Sequence, residues 1–353
     1  MICVSVYVNV AARAMKRHLT QGEIARKVGV SGATVSRTLN DLPGVSLPVR
    51  ERILQTAGEM GYSPNGAARS LATSVTQTVA FVVHGNSHEA NDDPFYPVIM
   101  AGAEAYLAQH NYHILLATLD DRTMERPQEF LPVSQRRVDG LILAGPEISA
   151  PFILSLIAAD VPLVLVDNCL AQTEANCILN DDEGGAYSAA RHLLEDGHTR
   201  IAFLSGPKEW VSNRQRARGY QRAMEEASLE PLILCGSETT IASGGQMMRQ
   251  ALECWPDLTA VFAVNDSVAI GAIRSAARLG RHTPQDLAVS GFDDISWAAI
   301  NQPPLSTVHV SKRHMGQLAA QCLMDQIQNP DRAPVKTVIS TRLVLRESCG
   351  HRE

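Results

Sequence analysis

The sequence predicts an α/β protein: an N-terminal three-helix head containing a helix-turn-helix, followed by a two-lobed core of doubly wound parallel sheets. Three observations predict it. Residues 20 to 40 spell two short helices with their caps written in. From Thr78 onward, eight short β-branched runs are each followed by a helical stretch. The charge also changes sign between the head and the rest: Lys16 to Val75 holds 8 Lys and Arg against 4 Asp and Glu, whereas residues 76 to 353 hold 22 against 33.

The head comes first. Thr20 is placed to cap a helix, with Glu23 three residues on reaching back to the cap, and Ile24, Ala25 and Val28 form one apolar stripe that Gly29 ends. Ser31 caps a second helix whose Val35 and Leu39 face inward, leaving Gly32, Ala33, Ser36 and Arg37 pointing outward near its start. Such a helix is built to enter a DNA major groove. A third helix carries Ser46 as cap, Pro48 in the first turn, Val49, Ile53, Ala57 and Met60 on one face, and Gly61 as stop. The locally positive head, within a chain of net charge -6, is the pattern of an electrostatic DNA footprint joined to an acidic domain.

Residues 1 to 15 form an apolar run too short to span a bilayer and without the early positive charge of an export signal. Met15 followed by Lys16 and Arg17 resembles a natural start, so residues 1–15 are expected to be an extension, disordered or a start-site misassignment. No membrane is expected among the partners.

The core runs are Thr78 to Val83, His113 to Thr118, Gly140 to Ala144 and Leu163 to Asp167, then Arg200 to Ser205, Leu232 to Cys235, Thr259 to Val264 and Leu287 to Phe292. Apolar strands without alternation, separated by helices, imply parallel sheets covered on both faces. Open sheets of this kind bind ligands beyond the carboxyl ends of their strands. Polar residues stand there: Asp167, Asn265 with Asp266, and Asp293 with Asp294, while Gly206 and Pro207 lead to Trp210 and Arg214. Asp and Asn also cap helices that follow strands, which is the ordinary role of such residues. As a set, carboxylates, an amide, a guanidinium and an indole suit a polyhydroxylated ligand.

The 7 Cys include no Cys-x-x-Cys pair and the 11 His no His-Glu-x-x-His spacing, so neither a disulfide framework nor a metal site is implied, and no cofactor is expected. A Gly-x-Ser-x-Gly elbow, a Gly-x-x-x-x-Gly-Lys run and a helix-opening Gly-x-Gly-x-x-Gly are all missing from the sequence, which argues against an enzyme.

The chain resembles the lac repressor and galactose repressor family of bacterial transcription factors. The resemblance rests on Gly29-Val30-Ser31 with Thr34-Val35-Ser36-Arg37, on Tyr62-Ser63-Pro64-Asn65 continuing to Ala68-Arg69-Ser70-Leu71, on Asn265-Asp266, and on Gly291-Phe292-Asp293-Asp294. It runs from about Lys16 to Ser348. It implies a core like that of periplasmic binding proteins, and a hinge after the third helix that becomes helical only when two subunits share an operator. By resemblance Leu71 is a wedge for the minor groove.

The DNA-facing set is then Thr20, Lys27, Ser31, Gly32, Ala33, Thr34, Ser36, Arg37 and Asn40, with Asn65, Ala68 and Leu71 from the hinge. Family members usually carry larger base-reading side chains where this chain has Gly32 and Ala33, so direct readout is expected to lean on Arg37 and a guanine. The resemblance places Asp167, Arg214, Asn265 and Asp293 in the cleft between the lobes, with Phe95 and Tyr96 on the opposite wall; Trp210 is added from its position and chemistry.

The expected organisation is a head over 16–61, a hinge over 62–75, an N-terminal lobe of 76–178 plus 309–336, and a C-terminal lobe of 179–308 plus 337–350. The expected function is repression of carbohydrate genes by a cytoplasmic, nucleoid-associated homodimer that a small sugar-type effector releases from a palindromic operator. The alternatives are a purine-type or other corepressor-dependent repressor, and a periplasmic-type sugar-binding protein.

Overall fold

The computed structural model describes residues 19–40, 42–62, 75–85, 94–170 and 175–350. The chain divides between Thr76 and Gln77 into two units. The expected extension over residues 1–15, and Asn65, Ala68 and Leu71 of the expected hinge, lie outside the described residues.

In the first unit, α1 (Gln21–Val28), α2 (Gly32–Leu39) and α3 (Leu47–Met60) bury Ile24, Ala25, Val35, Ile53 and Ala57 in one small core. Thr20 and Glu23 form the reciprocal cap: Glu23 N–H donates to Thr20 Oγ1 at 3.3 Å and Thr20 N–H to Glu23 Oε2 at 2.8 Å. Gly29 ends α1 at φ 77°, a left-handed value that glycine adopts without a Cβ penalty. Two details differ from the sequence pattern. Thr38 is buried, returning its hydroxyl to Thr34 O at 3.0 Å, while Leu39 packs half-buried at the core's edge. Ser46 occupies the cap position of α3 but makes no side-chain cap bond.

The second unit opens with β1 (Thr78–His84), α4 (Phe95–Gln109), β2 (His113–Leu119), α5 (Asp121–Glu125), α6 (Leu131–Ser134), β3 (Gly140–Ala144), α7 (Ala150–Ala158), β4 (Leu163–Val166) and β5 (Asn176–Asn180). It continues through α8 (Asp182–Glu195), β6 (Ile201–Ser205), α9 (Val211–Glu226), β7 (Leu232–Cys235), α10 (Ile241–Cys254), β8 (Ala260–Ala263), α11 (Asp266–Arg278), β9 (Ala288–Ser290) and α12 (Ser296–Ile300). The last elements are β10 (Thr307–His309), α13 (Lys312–Gln328), β11 (Lys336–Ile339) and β12 (Arg342–Val344).

Six parallel strands form the first sheet in the order β11-β5-β4-β3-β1-β2, and four form the second in the order β7-β6-β8-β9. Both faces of the first sheet are covered. Val79, Phe81 and Val83 of β1 face one hydrophobic cluster with Ile99 and Leu107 of α4, whereas Ala80 and Val82 face another with Phe152 and Leu156 of α7. That double burial is why β1 reads as a continuous apolar run. In the second sheet Phe203 stacks between Tyr220 at 5.3 Å and Phe262 at 5.0 Å.

All three expected lobe boundaries fall inside strands. The chain passes between the sheets after β5 ends at Asn180, between His309 of β10 and Lys312 of α13, and after β11 ends at Ile339. β11 belongs to the first sheet because Lys336 to Ile339 pair with Cys177 to Asn180, a partnership about 160 residues apart in sequence that no local pattern displays. Two of the crossings are tied: Asp181 N–H donates to Ile339 O at 2.9 Å, and Thr341 Oγ1 to Asp181 O at 3.1 Å.

α4 and α13 pack closely through Gly102 and Gly316. A Cβ on Gly316 would stand 1.8 Å from Ile99 O, and one on Gly102 2.0 Å from Arg313 O. Among the described residues no helix is long and apolar enough to cross a membrane, and no group of His, Cys, Asp and Glu is arranged to hold a metal ion.

Candidate functional site

The strand order β2-β1-β3 reverses direction at β1 and β3, and β7-β6-β8 does so at β6 and β8. Crevices form at such switch points, beyond the carboxyl ends of the strands. A cavity of about 1020 Å³ lies there, lined from β1 by Val83 and His84, from β3 by Pro146 and Glu147, from β6 by Pro207 and Trp210, and from β8 by Asn265.

Six of the seven residues expected in the cleft line this cavity: Phe95, Tyr96, Asp167, Trp210, Asn265 and Asp293. Phe95 and Tyr96 open α4 with their rings edge to face, 5.2 Å apart. Asn265 caps α11, accepting from Val268 N–H at 2.8 Å while its Nδ2 donates to Thr239 O at 3.1 Å. Asp167 and Asp293 are buried and hold left-handed backbone values of φ 55° and φ 101°. Such conformations are rare outside glycine and gather at functional sites. Lys312 of α13 braces the turn, its Nζ donating to the carbonyls of Asp293 and Asp294, the latter at 2.9 Å.

Arg214 is the correction. It is exposed and off the cavity, its Nη1 donating to Lys208 O at 3.2 Å and Glu209 O at 2.5 Å. Arg216 lines the cavity instead, two residues further along α9 and therefore on a different face. The apolar stripe of α9 carried the signal: Gly219, Tyr220, Ala223 and Met224 are buried, and the same spacing run backward reaches Arg216 and Asn213.

Arg216 is the electrostatic centre of the cavity. Nε donates to Asp182 Oδ1 at 2.9 Å, Nη2 to Asp293 Oδ1 at 3.1 Å and Nη1 to Val264 O at 2.6 Å, with the guanidinium 3.8 Å over the Phe292 ring. Burial alone would lower its pKa, but Asp293, Asp182 and Asp167 outweigh it and hold the charge firmly. Burial, reinforced by Asp182, pushes the Asp167 carboxyl well above its ordinary range. Burial likewise pushes Asp182 up to about 6, against the pull of Arg216.

Sequence reasoning also missed Trp297 and His84, which line the cavity from α12 and the end of β1. Neither sits in a pattern that singles it out. Asp266, a candidate cap by sequence, is fully buried and accepts from Thr307 Oγ1 at 2.5 Å and Ile295 N–H at 2.8 Å, so it braces the wall behind the site.

In the head, Thr20, Lys27, Ser31, Gly32, Ala33 and Arg37 are exposed, and Thr34, Ser36 and Asn40 half-buried. Two pairs of hydroxyl and amide groups engage each other: Ser31 Oγ and Thr34 Oγ1 lie 2.8 Å apart, and Asn40 Nδ2 donates to Ser36 Oγ at 3.4 Å.

A model of bacterial regulatory proteins of the lacI family matches residues 20–65, and one of a periplasmic binding protein-like domain matches residues 190–349. The HTH-type transcriptional regulator CelR of Thermobifida fusca is 34% identical over 338 residues, covering 94% of this chain and 99% of its own. The chain belongs to the lacI family. Another relative in that group is the ribose operon repressor of Haemophilus influenzae, 32% identical over 331 residues, covering 93% of this chain and 98% of its own. Among solved structures, a CelR-cellobiose complex is 33% identical with a TM-score of 0.73, and a lac repressor dimer bound to operator and the anti-inducer ONPF is 26% identical with a TM-score of 0.80. Each covers 94% of this chain and 99% of its own. As a lacI-family member, the protein is a DNA-binding transcriptional regulator.

Proposed function

We propose that this regulator represses carbohydrate-utilisation genes as a cytoplasmic homodimer, and that a small sugar bound in the cavity releases it from a palindromic operator. The observation that carries the reading is the pairing, in one cavity, of two indoles with a buried charged cluster: Trp210 and Trp297 beside Asp167, Asp293 and Arg216. Indole faces suit the apolar side of a sugar ring, carboxylates accept from its hydroxyls, and a guanidinium donates to adjacent oxygens. The likeness to a regulator solved with cellobiose supports the same class of ligand.

Because lining residues come from both sheets, a ligand touching both favours the state in which they close on it. That closure, passed to the paired hinges, frees Leu71 from the minor groove and leaves the heads with salt-sensitive phosphate contacts. A coupling of about 1–3 kcal/mol between the sites is enough for a fivefold or larger change in operator affinity. Arg37 reads a guanine, and Lys27 contacts phosphate.

The test is a thermal-shift screen of mono- and disaccharides, sugar phosphates and purines, followed by footprinting with and without whichever compound raises the melting temperature. A sugar that stabilises the protein and removes a symmetric footprint is expected. A purine that strengthens the footprint would replace the inducer reading with the corepressor one.

A further inference from the structure

Charge in the cavity is one-sided. Among the described residues its lining carries four carboxylates, those of Glu147, Asp167, Glu238 and Asp293, against the single guanidinium of Arg216, and no Lys. Asp182 at 2.9 Å and Asp293 at 3.1 Å already oppose that guanidinium. His84 faces Asp121, 3.0 Å away, so it brings no unopposed positive charge. The sequence from 86 to 93, which joins β1 to α4, contains no Lys or Arg. Glu147 follows β3 of the first sheet and Glu238 follows β7 of the second, so both sheets present the same sign of charge to whatever lies between them.

Asp167 is itself an acid placed in this cavity, and it responds to the field there. Burial disfavours its charge most and Asp182 next, Asp293 and Glu147 add to them, and Arg216 alone opposes. A phosphate or carboxylate carried in by a ligand meets the same groups. Contact is not required, because charge acts at a distance where water is scarce. A Cβ on Gly145 would stand 2.5 Å from Glu147 Oε2 and 3.1 Å from Tyr96 Oη, which sets the Glu147 carboxylate in the wall near the start of α4.

Helix starts are the competing effect. α10 and α11 begin at the cavity, but Thr240 Oγ1 accepts from Ser243 N–H at 3.2 Å and Asn265 Oδ1 from Val268 N–H at 2.8 Å. α4 and α9 begin there without a side-chain cap, and each favours an anion with roughly half an elementary charge. With Asp167 protonated, Glu147, Glu238 and Asp293 still face Arg216 alone, and two half-charges do not cancel the difference.

We propose that the effector is an uncharged sugar, and that Glu147, Asp167, Glu238 and Asp293 exclude phosphorylated and acidic sugars from the cavity. The proposal rests on the sugar reading above and narrows it to neutral members of that class. A like charge on the ligand opposes both its entry and the closure of the two sheets on it.

The experiment has two arms on the full-length protein, and the first needs no effector. The chain has 3 Trp: Trp210 and Trp297 are half-buried at the cavity and Trp255 packs against the core, so Trp255→Phe leaves only the cavity indoles to fluoresce. Iodide and caesium, each scaled to its quenching of free tryptophan amide at fixed ionic strength, report the sign of the local potential. Caesium is expected to quench severalfold better than iodide, and adding Glu147→Gln should narrow the gap. Equal quenching by the two ions, or a gap that Glu147→Gln leaves unchanged, overturns the exclusion whether or not any effector is found.

The second arm titrates cellobiose against cellobiose phosphate, ribose against ribose phosphate and hypoxanthine against inosinate by calorimetry. Within a pair that binds, the neutral member is expected to bind more tightly by on the order of a hundredfold or more. A charged sugar that binds as tightly as its neutral partner overturns the proposal and leaves the sugar reading standing. Hypoxanthine bound with both sugars silent ends the sugar reading, and a hundredfold weaker inosinate then still supports the exclusion of anions.

Discussion

Arg216 Nη2 lies 3.1 Å from Asp293 Oδ1, joining α9 to the left-handed turn after β9, while Nε of the same guanidinium lies 2.9 Å from Asp182 Oδ1 at the head of α8. One buried cation therefore sets the relative placement of three elements that line or back the cavity. Removing one member of a buried ionic cluster strands the others, which costs more than the cluster contributes net.

Arg216→Gln should therefore destabilise the folded chain by about 3 kcal/mol or more and abolish the response to effector. Arg214→Ala should cost about 1 kcal/mol at most, since it loses only surface hydrogen bonds to Lys208 O and Glu209 O. Urea unfolding and ligand titration on both variants check this. Equal losses at the two positions would remove Arg216 from the centre of the site.

Acidification should stabilise the core through Asp182. Its folded-state pKa of about 6 stands above the ordinary 3.8, so between those values the folded chain binds the proton more tightly than the unfolded one. Stability from this group rises as pH falls through that window and levels off below it, and Asp167 and Asp266, both raised chiefly by burial, act in the same direction. Asp294 opposes them. Burial would raise its pKa, but hydrogen bonds from Arg346 and His309 hold it low, so its contribution is lost as pH falls through its folded value. The advantage of wild type over Asp182→Asn should grow as pH is lowered from about 6 toward 4. A constant difference in melting temperature across that range would contradict the assignment.

Arg37→Ala should relax preference at one base pair per half-site, by about 1–3 kcal/mol. Lys27→Ala should weaken binding to every sequence and reduce the slope of log affinity against log salt by about 1. Titrations on operator and random duplexes at several salt concentrations separate the two. If Arg37→Ala lost affinity equally on both duplexes, it would not be reading bases.

Gly316→Ala should destabilise the core by about 2 kcal/mol, because overpacking against a neighbouring backbone outweighs the better helix propensity of alanine. The added Cβ would meet Ile99 O at 1.8 Å. Gly58→Ala in α3, where nothing lies within 4 Å, should instead stabilise the head by about 0.5–1 kcal/mol. Thermal unfolding of the two variants tests both directions, and a neutral Gly316→Ala would mean that α4 and α13 can separate at little cost.

Eight core strands, β1 to β4 and β6 to β9, could be located from sequence because each reads as an apolar run; β1, β3, β4, β6, β8 and β9 are buried almost throughout, whereas β2 and β7, at the sheet edges, are only partly so. β5, β10, β11 and β12 were not anticipated. They are short, and β11 carries Lys336 and Thr337 at an exposed edge, so its membership depends on pairing with β5 rather than on its own composition. Phe95, Tyr96, Asp167, Trp210, Asn265 and Asp293 were placed through family motifs and strand ends. Trp297 and His84 stand at strand and helix ends with no periodic signature, and Arg216 was confused with a neighbour of identical type.

Chain-neighbour chemistry settled the head: the Thr20 and Glu23 cap, the Gly29 stop and the Ser31 start act within one or two turns, so the order of residues is sufficient to specify them. The same holds for the alternation of apolar strands with helices. Which arginine faces the cavity and which sheet receives β11 both depend on groups far apart along the chain. Asp182, Asp293 and Asn180 exert those effects only through space, after packing has brought them within a few ångströms of their partners.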